Sequence, residues 1–100
     1  MTTVSTINPS SEEILASYEI MSATQVYEIV KQAKTAFGAW KNLGINKRAE
    51  FMRSFAQELR KNKTSLARTC TGEVGKAIKE SLSEVEKCAW VMEFYGDNGP

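Results

Sequence analysis

The sequence predicts a mostly α-helical chain, a β-hairpin followed by three or four helices, that makes up a single incomplete domain. Three observations carry this expectation. A β-branched run, Thr3 to Ile7, and an alternating run through Ile14, Ala16, Tyr18 and Ile20 flank the turn residues Asn8-Pro9-Ser10-Ser11. From Ser22 onward, apolar residues recur at helical spacing. The last of these helical segments is apolar on two sides, and a helix apolar all round is normally buried all round. No earlier segment supplies enough apolar surface to cover both faces.

Residues 1–21 form the predicted hairpin, and residues 22–100 the helical segment. Two strands alone are marginal in water, so the hairpin needs a third strand or a helix to lie on. Ser22 and Gln25 make a capping box that opens the first helix. Its apolar stripe runs through Val26, Ile29, Val30, Ala33, Phe37 and Trp40, and the spacing predicts core packing for Phe37 and Trp40. A glycine stop follows at Asn42-Leu43-Gly44. Asn46 is the expected cap of a second helix, Lys47 to Lys61, with Met52, Phe55, Ala56 and Leu59 on its apolar face. Arg60, Lys61 and Lys63 read as a solvated C-terminal turn, where cations favour the helix dipole.

The pattern is interrupted at Asn62-Lys63-Thr64-Ser65, as a kink or a fresh cap, and resumes as a shorter helix to about Thr71. Cys70 falls on the apolar phase of that helix, the position of a buried small hydrophobe rather than a nucleophile. The stretch Thr71-Gly72-Glu73-Val74-Gly75-Lys76 does not make a P-loop. That motif needs Gly, four residues and then Gly-Lys-Ser/Thr, whereas here the glycines lie closer together and Ala77 follows the lysine. A helix-to-helix connector with Lys76 exposed is expected instead. The final helix is predicted from Ala77 to Tyr95, with Ile78, Leu82, Val85, Ala89 and Met92 on its main stripe. Trp90, Val91 and Phe94 lie off that stripe, and Gly96-Asp97-Asn98-Gly99-Pro100 reads as the turn that ends the helix.

Composition excludes more functions than it proposes. The chain has 100 residues, 42% of them hydrophobic and 25% charged, which is too apolar for a disordered tail. Thirteen basic and twelve acidic residues leave a net charge of +1, so no global field favours nucleic acid or a membrane surface. No basic stripe with interleaved aromatics is present either. Two cysteines and the lack of a secretory leader point to reduced thiols and a cytoplasmic setting. There is no histidine, which removes a Cys/His nucleophile pair, a serine triad and any His-containing metal site. No metal ligand set is expected.

Four signatures occur in order along the chain: Ile7-Asn8-Pro9 with Glu12-Glu13-Ile14-Leu15, Ala36-Phe37 with Ala39-Trp40, Arg48-Ala49, and Thr71-Gly72-Glu73-Val74-Gly75-Lys76. Together they resemble the N-terminal segment of the NAD(P)-dependent aldehyde dehydrogenase superfamily, over Ser5 to Pro100. The continuation Glu84 to Trp90, with Phe94-Tyr95-Gly96 and Gly99-Pro100, is most similar to the succinate-semialdehyde dehydrogenase branch.

The resemblance implies the N-terminal part of an α/β enzyme that oxidises an aldehyde to an acid through a cysteine thiohemiacetal and passes hydride to NAD or NADP. It implies a homo-oligomeric parent, and it implies that residues 22–100 pack on that parent's cofactor-binding domain. In the family the nucleophilic cysteine, the glutamate base and the cofactor-binding motif lie downstream of the matching segment. Neither Cys70, Cys88 nor Glu73 takes those positions, so no catalytic, cofactor-binding or metal residue is expected here and the isolated chain is expected to be inactive and to bind no cofactor.

The resemblance further implies that the helix of Gly75 to Tyr95 borders the aldehyde channel. Ser83, Lys87, Trp90 and Phe94 share one face at i, i+4, i+7 and i+11, and so could form one channel wall, with Lys87 attracting a substrate carboxylate. The plainer reading is that the same residues pack against the remainder of the dehydrogenase chain. A third reading, from a different class, is a stand-alone helical module that binds a protein partner through Trp90, Val91 and Phe94.

Overall fold

The structure, a computed structural model, describes residues 2–100. Strands β1 (Thr3–Ile7) and β2 (Ile14–Glu19) form an antiparallel hairpin, followed by helices α1 (Ala23–Asn42), α2 (Ile45–Lys61), α3 (Lys63–Val74) and α4 (Ile78–Asn98). Thr3 lies opposite Glu19 and Thr6 opposite Ala16, and an irregularity between Thr6 and Ile7 brings Ile7 opposite Ile14. The turn is built by Asn8, whose Oδ1 accepts the Ser10 and Ser11 amides at 2.8 and 3.3 Å.

The expected cap of α1 is present in full. The Gln25 amide donates to Ser22 Oγ at 3.2 Å, and the Ser22 amide donates to Gln25 Oε1 at 2.8 Å. The expected packing is not. No residue of α1 is buried, Phe37 is 58% exposed, and Trp40, 38% exposed, only tilts against Phe51 with ring centroids 5.6 Å apart. The expectation of core packing is therefore corrected: the α1 stripe is formed, but apart from the Trp40–Phe51 contact it stays open among the described residues.

Helix α2 starts at Ile45, earlier than expected, and Gly44 rather than Asn46 is its cap. Gly44 has φ +83°, a left-handed conformation that turns the chain early, and its carbonyl accepts the Arg48 amide at 3.2 Å. At Asn62 the chain breaks into two helices. The Asn62 side chain donates back to the Glu58 carbonyl at 2.9 Å, closing α2, and α3 begins at the next residue.

Helix α3 runs on to Val74, past the expected end at Thr71, so most of the predicted connector is helical and only Gly75 to Ala77 link α3 to α4. Gly75 caps α3 in the left-handed region, its amide donating to the Thr71 carbonyl at 2.9 Å. Helix α4 also overruns its expected end at Tyr95 and reaches Asn98, with Gly96 buried inside it. Gly96 is a crossing point rather than a stop. A Cβ there would lie 3.1 Å from Arg53 Cγ and 3.2 Å from the Ala49 carbonyl oxygen of α2.

The core lies where α4 packs against α2 and α3, and it is made of small side chains. Ala49 and Ala56 of α2, Ala67 of α3, and Val85 and Ala89 of α4 are the buried apolar residues. Small residues let helix axes approach closely, at the short end of the usual 8–10 Å range. Ser81, fully buried at the start of α4, shares a 2.8 Å hydrogen bond with Thr71 of α3, which satisfies its hydroxyl. The hairpin rests on the far end of α3: the nearest side-chain atom to a Cβ on Gly75 would be Pro9 Cγ at 2.7 Å, and to one on Gly72, Leu15 Cδ1 at 3.7 Å.

Candidate functional site

Two junctions bring chemistry-bearing side chains together, and α4 belongs to both. The first is an open groove of about 480 Å³ along the outer face of α4, lined by Lys79, Ser83, Lys87 and Trp90 with Leu82 and Glu86 at its side and Lys63 from α3 at its edge. It contains three of the four residues that the sequence nominates for a channel wall. Phe94, the fourth, does not line it. Its ring stands edge-on to Tyr95 at 5.3 Å, and it is 56% exposed.

Within the groove the charges are unequally compensated. Glu86 accepts from Arg60 Nε at 2.9 Å and from Lys63 Nζ at 3.3 Å, and these two cations, Arg60 foremost, hold its carboxyl below the usual carboxylate range. Arg60 also pairs with Glu93, which with Glu86 raises the guanidinium above its ordinary value. The expectation that Arg60 and Lys63 are simply solvated is corrected: they clasp α4 to the ends of α2 and α3. Lys79 and Lys87 form no ion pair among the described residues. Lys87 adds only a minor electrostatic pull on Glu84. Trp90, 70% exposed, supplies an aromatic surface beside them.

The second junction is Lys76, Glu84 and Cys70, where the α3–α4 link meets the first turns of α4. Lys76 pairs with Glu84 Oε1, and Cys70 Sγ lies 3.6 Å from Glu84 Oε2. The ammonium of Lys76 holds the Glu84 carboxyl below its usual range, and the carboxylate in turn raises Lys76. Two expectations are corrected here. Lys76 is not exposed, since only 26% of its side chain is accessible, and Cys70 is half-buried with its thiol turned to a carboxylate rather than into an apolar core. Cys88 is exposed.

This junction does not fit a dinucleotide phosphate. A phosphate cradle needs open backbone amides above a glycine turn, whereas the space beside Gly75 is filled by Pro9 and Ser10, and Gly72 is backed by Leu15. The Thr71 to Lys76 stretch instead ends one helix and seats the hairpin turn, so two of the sequence signatures, Asn8-Pro9 and Gly75-Lys76, meet in space.

The aldehyde dehydrogenase family profile matches residues 1–99. The chain belongs to the aldehyde dehydrogenase family. It is 37% identical over 91 residues to a 3,6-anhydro-alpha-L-galactose dehydrogenase of Vibrio sp. (strain EJY3), covering 91% of this chain and 19% of that protein. It is 31% identical over 94 residues to a succinate semialdehyde dehydrogenase [NAD(P)+] of Escherichia coli (strain K12), covering 94% of this chain and 20% of that protein. A solved glyceraldehyde-3-phosphate dehydrogenase from Methanocaldococcus jannaschii, complexed with NADP, superposes with a TM-score of 0.86 at 26% identity, over 97% of this chain and 21% of that one. The chain thus spans about a fifth of the length of these relatives. Hairpin and helices together form the N-terminal part of the aldehyde dehydrogenase fold. Among the described residues no helix is long and apolar enough to cross a membrane.

The sequence reading missed Lys79, although it lies four residues before Ser83 on the same helical face and could have been found by extending the stripe by one turn. It also missed the Lys76–Glu84–Cys70 junction. No local signal marks that cluster, because its members come from two helices and the link between them.

Proposed function

We propose that this chain is the N-terminal segment of an NAD(P)-dependent aldehyde dehydrogenase that oxidises an aldehyde bearing a carboxylate, with succinate semialdehyde as the preferred substrate, and that α4 contributes a wall of the aldehyde channel. The single observation that carries this is the groove along α4, in which Ser83, Lys87 and Trp90 line one open surface and the Lys87 ammonium lacks an ion-pair partner among the described residues. A free cation beside an aromatic face suits a short aliphatic substrate with one anionic end. Phe94 stands one turn beyond Trp90, past the end of the groove opposite Lys79. The semialdehyde name of the Escherichia coli relative supports the same substrate class.

The isolated chain is inactive in this reading and binds neither NAD nor NADP. Cys70 is engaged with Glu84, Cys88 is exposed, and the space beside Gly75 and Gly72 is taken by Pro9, Ser10 and Leu15. The reacting thiol, the base and the cofactor site belong to the remainder of the dehydrogenase chain, which is also the partner that covers the apolar faces of α1 and α4. The assembled enzyme is a cytoplasmic homo-oligomer.

Replacing Lys87 by alanine in the complete dehydrogenase tests the proposal. The expected outcome is a Michaelis constant for succinate semialdehyde raised by about tenfold or more, the scale of one lost charge-assisted contact, with that for an uncharged aldehyde unchanged. An unchanged constant for the acidic aldehyde would remove Lys87 from the substrate site.

A further inference from the structure

We infer that Lys79 is a second specificity-determining residue, an outer cation that draws anionic aldehydes along the α4 groove towards Lys87. The inference rests on the channel-wall reading above and adds to it a residue and a role. Lys79 lines the same groove, with Ser83 and Lys87 following at i+4 and i+8. Eight residues of helix separate the two ammonium-bearing positions by about 12 Å along the axis. An extended four-carbon semialdehyde is shorter than this rise, so the inference gives the two lysines successive roles, one on approach and one at the seat.

The local charges favour this division. The one carboxylate lining the groove, Glu86, is already held by Arg60 and Lys63, so it does not cancel Lys79 or Lys87. Lys79 also sits in the first turn of α4, where a cation works against the helix dipole. A lysine placed there costs the helix a little stability, and the positive end of the helix adds to its attraction for anions. Two cations without an ion-pair partner among the described residues, set in one groove, focus field and raise the local concentration of an anionic ligand.

A steering residue acts on encounter, so its signature differs from that of a packing residue. In the complete dehydrogenase, Lys79→Gln is expected to lower kcat/KM for succinate semialdehyde about three- to tenfold at low salt, leaving kcat unchanged. Butanal, an uncharged aldehyde of the same chain length, should be oxidised as before, and Lys79→Arg should retain the parent value. The defect should shrink between about 10 mM and 0.5 M salt, as the Debye length falls below the groove's own dimensions. If Lys79→Gln leaves kcat/KM unchanged at low salt while Lys87→Ala raises the Michaelis constant, the inference is overturned and the channel-wall reading stands. If neither variant changes the kinetics, both fall. Equal losses for the semialdehyde and for butanal would mark Lys79 as a packing residue and overturn the inference as well.

Discussion

Gly75 and Pro9 are distant in sequence and touch in space, and the contact leaves no room for a side chain. Gly75 has φ +81°, where an L-residue is strained, and a Cβ would lie 2.7 Å from Pro9 Cγ. Gly75→Ala is therefore expected to lower unfolding stability by at least about 1–2 kcal/mol from the backbone alone, with a further loss from the clash. Denaturant unfolding checks this, and Pro9→Ala in the same background should recover the clash part but not the backbone part. If Pro9→Ala recovered none of the loss in the Gly75→Ala background, the hairpin turn would not be seated there. Glycine type alone does not announce such roles. Gly75 and Gly44 end or begin helices through positive φ, whereas Gly96 keeps helical geometry and is small because α2 crosses there. The sequence reading took Gly96 for a stop because a crossing helix leaves no mark on the local pattern.

Elements are joined here mainly by charge and by small residues. Arg60 at the end of α2, Lys63 at the start of α3, and Glu86 and Glu93 on α4 form one clasp, with Lys76 and Glu84 forming another at the α3–α4 link. Glu84 and Glu86 have carboxyls held below their ordinary range by these cations. Groups depressed in the folded state contribute stability above their unfolded pKa and lose it as pH falls through the folded value. The urea midpoint should accordingly decline on acidification from neutral pH through and below the usual carboxylate range, and Glu86→Gln should flatten part of that slope. A midpoint independent of pH across this window would show that the clasps contribute nothing. The exposed setting of these pairs makes their contribution modest and salt-sensitive. The Ser22–Gln25 cap of α1 was readable in advance because both partners lie within one turn. The Arg60–Glu86 clasp was not, since its partners are 26 residues apart.

The molecule as a whole is a slab, 45 × 40 × 16 Å, with a radius of gyration of 17.5 Å. A compact domain of this length would have about 13 Å. The difference reflects α1, which buries no residue, and a hairpin that touches the helices mainly through its turn and the α3 end. Large apolar residues stay open on every element, among them Ile14, Tyr18, Val30, Phe37, Phe55 and Trp90. The isolated 100-residue chain is expected to bind a hydrophobic dye and to self-associate, as surfaces of this kind do. Sedimentation and dye fluorescence check this. A monodisperse, cooperatively melting monomer that leaves the dye dark would favour the stand-alone interaction module using Trp90, Val91 and Phe94.

The hairpin, the four helical periodicities and the capping box were legible in the residues, because strand alternation, helix spacing and caps depend on neighbours a few positions apart. The unsatisfied second face of the last helix was legible for the same reason, and Trp90 and Phe94 are indeed uncovered. Which small residues form the core, why Gly96 lies inside a helix, and which lysines of the α4 groove have no ion-pair partner among the described residues depended on how α2, α3 and α4 cross. Those outcomes are set by contacts between residues far apart in the chain, and a local pattern carries no information about which distant partner will neutralise a charge or fill a space.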